Sequence, residues 1–231
     1  MNIYADRGNL LVLEHRCAWR GIGFELSSSG LGEPLHPDAH DLFYLGGGQD
    51  RDQRLCAEDL IETKQVALHA AAARDAVILG VCGGYQLLGH SYTLGEDQIP
   101  GVGLLDVRTV REDGPRLIGN VAIEVSLDGD PATHVLAGFE NHGGRTYLDP
   151  SAHALGRVLR GHGNDGRSGL EGARVGNTIG TYLHGPLLPK NAWFADWLIA
   201  TALRLHPSGL KPLDDAFERE AHLSARRAAG V

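Results

Sequence analysis

A chain of 231 residues, 42% apolar and 22% charged, is long enough for one large α/β domain with a sizeable core, and its net charge of −8 argues against a nucleic-acid or anionic-membrane surface as its main business. No apolar run approaches the roughly 18 residues of a membrane span, and Asp6 and Arg7 come too early for the apolar part of a signal peptide. Three cysteines without metal-type spacing, Cys17, Cys56 and Cys82, point to a reducing cytoplasm.

In chain order, residues 1–4 are barely a strand, and residues 6–9 read as a loop into a helix that runs to about Arg20, where Gly21 ends it. Residues 22–27, IGFELS, alternate like a strand, and 28–38 form a loop. Residues 42–45 are a short apolar strand closed by Gly46, Gly47 and Gly48, and 51–73 carry the longest helical pattern. Residues 76–81 are almost continuously apolar, as in a strand buried on both faces. A turn at Cys82 and a helix follow. This alternation predicts a parallel, doubly wound sheet. From 101 to 160, the runs VGLLDV, VAIEVS, THVLAGF and GRVLR suggest antiparallel strands added to that sheet. The polar glycine loop 161–172 reads as a hairpin tip, and 178–183, TIGTYL, as a buried strand ending at His184. Residues 190–206 form an amphipathic helix whose Trp193 and Trp197 fit the core better than a partner, and 213–229 a helical tail. The expected fold class is therefore α/β, doubly wound and mostly parallel with added antiparallel strands, in a single domain over 1–231 with its core in about 1–206.

The chemistry centres on Gly80-Val81-Cys82-Gly83-Gly84. A strand, a tight turn and a helix start hold one reactive atom clear of the sheet, with backbone N–H groups aimed at it. A helix N-terminus beside a thiol favours the thiolate nucleophile. The competing reading is a buried, inert cysteine, and the flanking glycines favour the elbow. A cysteine nucleophile needs a base, and among twelve histidines His184 stands out, at the C-terminal end of an apolar strand where open α/β sheets place ligands. It can also be a histidine that caps a turn. Gly83 N–H and the loop bearing Gly47 and Gly48 can form an oxyanion hole, although three glycines are equally an ordinary turn; no lysine follows them as in a phosphate loop. The segment 140–145, ENHGGR, suits an amino acid's charged ends or a solvated turn, and Arg116 suits a carboxylate or the solvent.

Together these residues resemble the class I glutamine amidotransferases, which have a flavodoxin-like core. Within that class the chain resembles the CobB/CobQ-like branch, and most narrowly the glutaminase subunits of lipid II isoglutaminyl synthases. YADRGN, YLGGGQDRDQ, CGGYQLLG, GVGLLD, RLIGN, GFENHGGRTY and GTYLHGPLLPKN carry the likeness in matching order over most of the chain. The resemblance implies Cys82 as nucleophile and His184 as base, with Arg116, Gln86, Asn141 and Gly143 as contacts to L-glutamine. It implies no metal or cofactor in this chain. ATP and Mg²⁺, and any Zn²⁺, belong to a Mur-ligase-like partner resembling MurT, which takes lipid II at the inner face of a bacterial membrane. Many class I members carry a glutamate two residues after the histidine; here that position is Pro186, which implies a Cys–His dyad and leaves the residue that orients His184 unidentified. Relatives also carry a strand ahead of YADRGN, which implies either a start placed late or a missing first strand with an exposed sheet edge. Other readings are an amidotransferase for a corrinoid acceptor, a silent scaffold subunit that kept the fold, and a cysteine hydrolase or chaperone-like protein on the same sheet.

Overall fold

The computed structural model describes residues 6–48, 50–128 and 132–231; the reading of residues 1–4 lies outside them. The element that carries Cys82 is β2 (Val77–Val81), buried along its whole length. It lies between β1 (Leu42–Leu45) and β12 (Thr178–Thr181), parallel to both, and β11 (Ala173–Val175) adds an antiparallel edge, giving the order β1-β2-β12-β11.

Burial on two faces explains the unbroken apolar run of β2. Val77, Leu79 and Val81 face a core shared with Leu13 and Cys17 of α1 (Asp6–Ala18), Phe194 and Leu198 of α6 (Ala192–Ala202), and Val121, Ile123 and Leu136. Ile78 faces a second core with Leu68, Tyr85, Leu87, Leu88, Leu105 and Tyr182. Trp197 is buried in the first core, as its helical spacing predicts. On the second face, α4 (Gly83–Leu88) sits directly on the sheet. Gly80 and Gly180 are paired across β2 and β12. A Cβ on Gly80 would lie 2.5 Å from Leu88 Cδ1, and one on Gly180 1.9 Å from Tyr85 Cδ2, so the two glycines form the flat floor that this helix needs.

The strands between residues 91 and 171 do not extend this sheet, contrary to the expectation for 101–160. They form two sheets of their own: β10 (Leu170–Glu171), β9 (Gly156–Arg160), β6 (Leu117–Ser126) and β7 (Thr133–His142) in that order, and β4 (Asp97–Pro100), β3 (Ser91–Leu94), β5 (Val107–Arg111) and β8 (Gly144–Leu148) in that order. Among the described residues, antiparallel pairings therefore outnumber parallel ones. Short connections favour antiparallel neighbours over crossovers. The hairpin of β3 and β4 closes on Gly95-Glu96, a two-residue turn that the sequence reading passed over. VGLLDV is mostly not a strand; Leu105 packs in the second core and only Val107 enters β5.

Two other boundaries differ. The helix α1 begins at Asp6 rather than after a loop. Residues 22–27 form no strand: their alternation is real, but β1 pairs only with β2 among the described residues and offers them no ladder. The long helix over 51–73 is present as α2 (Asp50–Asp59) and α3 (Gln65–Ala73) joined by a π-helical turn at Leu60–Lys64. The tail is helical, α7 (Ala216–Ala229).

Candidate active site

Cys82 leaves the end of β2 with φ +54° and ψ −109°, a conformation that L-residues avoid, and is half-buried and in no disulfide. Its N–H donates to the Thr181 carbonyl at 2.8 Å, and its own carbonyl accepts from Gln86 N–H at 3.1 Å, closing the first turn of α4. The backbone therefore turns from strand to helix within one residue, as the glycine-flanked sequence predicts. Thr181 lies opposite Val81 in the parallel register, so Cys82, one residue past β2, and His184, three residues past β12, emerge from the same C-terminal edge.

The triple glycine meets them there. A Cβ on Gly84 would lie 2.0 Å from the Leu45 carbonyl oxygen. That contact presses the start of α4 against the end of β1, and Gly47 is buried directly after it, with Gly48 half-buried. The loop thus borders the elbow.

His184 is half-buried and fixed by its backbone, which exchanges two 2.9 Å hydrogen bonds with Phe139 of β7. The two rings meet edge to face at 6.1 Å. His184 Nε2 is shut off from solvent and has no hydrogen-bond partner among the described residues. Burial, joined by the positive fields of His142, Lys190 and Arg116 and opposed by Glu140, lowers its pKa to about 4. The ring is therefore neutral at pH 7, in the form that accepts a proton.

Arg116 reaches Asn141 twice, Nε to Oδ1 and Nη2 to the carbonyl, each at 2.8 Å. The sequence alone did not link these two candidates; β6 and β7 do, by pairing Ile118 with Asn141. The segment 140–145 is not a solvated turn. Glu140, His142, Gly143 and Arg145 are buried at the junction of β7 and β8, and a Cβ on Gly143 would lie 1.8 Å from Arg111 Nη1. Glu140 accepts from the N–H groups of His162 and Gly163 at 2.6 and 2.9 Å, which draws the 161–169 loop inward. Gln86 is buried, with Oε1 taken by Gln53 Nε2 at 2.6 Å and Nε2 donating to the Tyr182 hydroxyl at 3.1 Å. Its side chain is thus part of the packing beneath the elbow.

Several contacts of this region leave no trace in the sequence spacing. His142 stacks on Tyr182 with ring centres 3.6 Å apart. Glu171, wholly buried, accepts from Thr181 Oγ1 and Tyr182 N–H and so fixes the end of β12. Asn9 donates to the Tyr44 hydroxyl at 3.0 Å and accepts from Leu188 N–H at 2.8 Å, tying α1 to β1 and to α5 (Leu187–Lys190) just past His184. Its available signal was membership of the YADRGN segment. Among the described residues, the group with metal-type ligand atoms in mutual reach is His90, Asp106 and Asp149. It lies apart from the elbow, and Asp106 already takes bonds from His90 and Ser151.

The model of the CobB/CobQ-like glutamine amidotransferase domain matches residues 1–192. This chain belongs to that family. Among curated relatives, the GatD subunit of the glutamine-hydrolysing lipid II isoglutaminyl synthase of Staphylococcus aureus is 36% identical over 98% of this chain and 89% of its own. The subunit of the same name from Streptococcus pneumoniae is 36% identical over 88% of this chain and 77% of its own. A cobyric acid synthase of Methylorubrum populi is 31% identical over 83% of this chain but only 39% of its own. Among solved structures, the PurLQS structure from Thermotoga maritima matches at a TM-score of 0.56 and 18% identity, covering 93% of this chain and 91% of its own, a likeness of fold. In this CobB/CobQ-like amidotransferase, the shared fold puts elbow, glycine loop and strand-end histidine on one sheet edge.

Proposed function

We infer that this chain is the glutamine-hydrolysing subunit of a lipid II isoglutaminyl synthase. The observation that carries the reading is the elbow at Cys82, strained at φ +54° and hydrogen-bonded to the strand that leads to His184. The GatD relatives, matched over most of their length, supply the acceptor. The corrinoid alternative has less support, because the cobyric acid synthase is 31% identical over 83% of this chain, against 36% over 98% for the Staphylococcus aureus GatD subunit.

Neutral His184 takes the Cys82 thiol proton as sulfur attacks the side-chain amide carbon of glutamine. Gly83 N–H and the 46–48 loop stabilise the oxyanion. The carbon–nitrogen bond breaks as His184 returns the proton to nitrogen, ammonia leaves, and a thioester remains. His184 then draws a proton from water, hydroxide adds to the thioester, and the carbon–sulfur bond breaks to release glutamate and restore Cys82. Arg116, steadied by Asn141, binds the α-carboxylate. The ammonia passes to a MurT-like, ATP-dependent partner that activates the α-carboxylate of D-glutamate in the stem peptide; ATP and metal chemistry sit there. No helix among the described residues is long and apolar enough to cross a membrane, in keeping with a subunit that works at the cytoplasmic face.

The test is intact-protein mass after exposure to diazo-oxo-norleucine, a glutamine analogue that alkylates the attacking thiol. One adduct, lost in Cys82→Ser, is expected. No adduct, with the Mur-ligase-like partner present as well as absent, would sink the glutaminase reading and favour a silent subunit.

A further inference from the structure

Lys190 closes α5, six residues beyond His184. Its side chain is half-buried, and among the described residues Nζ has neither a hydrogen bond nor an ion pair. Burial lowers its pKa. A cation that has given up water without gaining an anion is unfavourable in the empty protein, and this cost is offset when an anion arrives.

Its surroundings identify that anion. The Cβ position of Gly185 lies 3.5 Å from Lys190 Nζ and 3.2 Å from Phe139 Cβ. Phe139 is bridged to His184 through the backbone, and its ring touches the imidazole. Two residues further along β7, and so on the same face as Phe139, Asn141 holds Arg116 by Nε and Nη2, leaving Nη1 without a partner among the described residues. Lys190, Gly185, Phe139, Asn141 and Arg116 are therefore contiguous, with His184 within the row. The acid next to this row, Glu140, points from the other face of β7 and is taken up by two backbone N–H groups. Among the described residues, the row beside His184 thus carries two cations while its neighbouring acid is already engaged, in a chain whose net charge is −8.

We propose that Lys190 is a second carboxylate-binding cation of this site, sharing with Arg116 the α-carboxylate of the bound amino acid. The proposal rests on the glutaminase reading and deepens it: Lys190 is a specificity residue that makes the site select an amino acid over a simple amide. Arg116 supplies planar N–H donors fixed by Asn141, whereas Lys190 supplies a point charge on a flexible stem.

The test measures equilibrium binding to the full chain in a Cys82→Ala background, which stops turnover. L-glutamine is compared with γ-aminobutyramide, which keeps the amide and the amine but lacks the α-carboxylate. Lys190→Met should weaken L-glutamine about 10- to 100-fold and leave γ-aminobutyramide unchanged, and Lys190→Arg should recover most of the loss. Melting temperatures equal to the parent's show that the fold is intact; if Lys190→Met melts lower, Lys190→Gln takes its place. An equal loss for both ligands, or no loss for either, overturns the proposal. So does a parent chain that binds the two ligands alike, and that result leaves the reactivity of Cys82 to be decided separately by the diazo-oxo-norleucine adduct.

Discussion

Gly84 shows how much of the site rests on single atoms. Any side chain there meets the Leu45 carbonyl at 2.0 Å, where neither backbone can yield easily. Gly84→Ala should therefore push β1 and the 46–48 loop away from Cys82. The expected result is a fall of about 100-fold in glutaminase kcat, measured where the variant is still folded, with a stability loss of about 1–3 kcal/mol. Unchanged kcat would remove the loop from oxyanion binding. Arg116→Ala should raise the glutamine KM about 10- to 100-fold with a smaller effect on kcat, since the carboxylate contact is present in ground and transition states alike. An unchanged KM would take Arg116 out of the site. At this scale the sequence is informative where one residue type does one job. Cys82 among glycines is legible because glycines on both sides of a thiol, after an apolar run, mark a tight strand-to-helix turn. Gln86 is different: its chemistry suits substrate contact, yet Gln53 and Tyr182 occupy both ends of its amide, and neither neighbour can be foreseen from spacing.

At the scale of elements, the end of β12 is flanked by two titrating groups with opposite consequences. His184 follows it, with a pKa lowered to about 4 by burial and nearby cations. The unfolded chain gains a proton near pH 6.5 that the native one refuses until about pH 4. This contribution to stability is thus complete above pH 6.5 and declines as the pH falls toward 4. The base also stays neutral through that range, so glutaminase kcat/KM should be flat from pH 7 to 5; an acid limb centred at 6.5 would contradict a buried base. Glu171 anchors the same strand end, and burial, with Glu140 adding to it, raises its pKa to about 7. Here the native state keeps a proton that the unfolded chain loses near pH 4.5, so the contribution fades as the pH rises through 7. Glu171→Gln, which does not titrate, should gain stability relative to the parent by about 1–3 kcal/mol between pH 5 and pH 8. Parallel melting curves for the two proteins at both pH values would refute this. The strand β12 was legible from its apolar run, while Glu171 was not. It lies ten residues from Thr181 in a glycine-rich stretch that looks solvated, and only the hairpin of β9 and β10 turns it inward. The segment 22–27 failed in the opposite way: its pattern is that of a strand, but a strand is defined by its neighbour, and no described residue pairs with it.

At the scale of the molecule, the stretch beyond residue 192 completes the fold. Phe194, Trp197 and Leu198 of α6 fill the core beneath β2. Arg16 of α1, 1% exposed, binds Asp196 through Nε and Nη2 at 2.5 and 2.6 Å and Asp215, just before α7, at 2.9 and 3.0 Å. One guanidinium therefore joins the first helix to the last two. Such closure was not legible in the sequence, because an arginine 180 and 199 residues from its two carboxylates leaves no periodic trace. A planar fork that meets two carboxylates cannot be replaced by an ammonium or a thioether without leaving acids unpaired. Arg16→Met should cost about 2–4 kcal/mol, less than a fully buried pair because both aspartates keep some contact with water. Asp215→Asn should cost less, since Arg16 retains Asp196 and Arg20 supports that carboxylate from the other side. Urea unfolding of the two variants separates these cases. Equal and small losses would mean that α1 is held by apolar packing alone. A large loss for Arg16→Met, with diazo-oxo-norleucine labelling of Cys82 unchanged under native conditions, would show that the clasp sets stability without shaping the elbow.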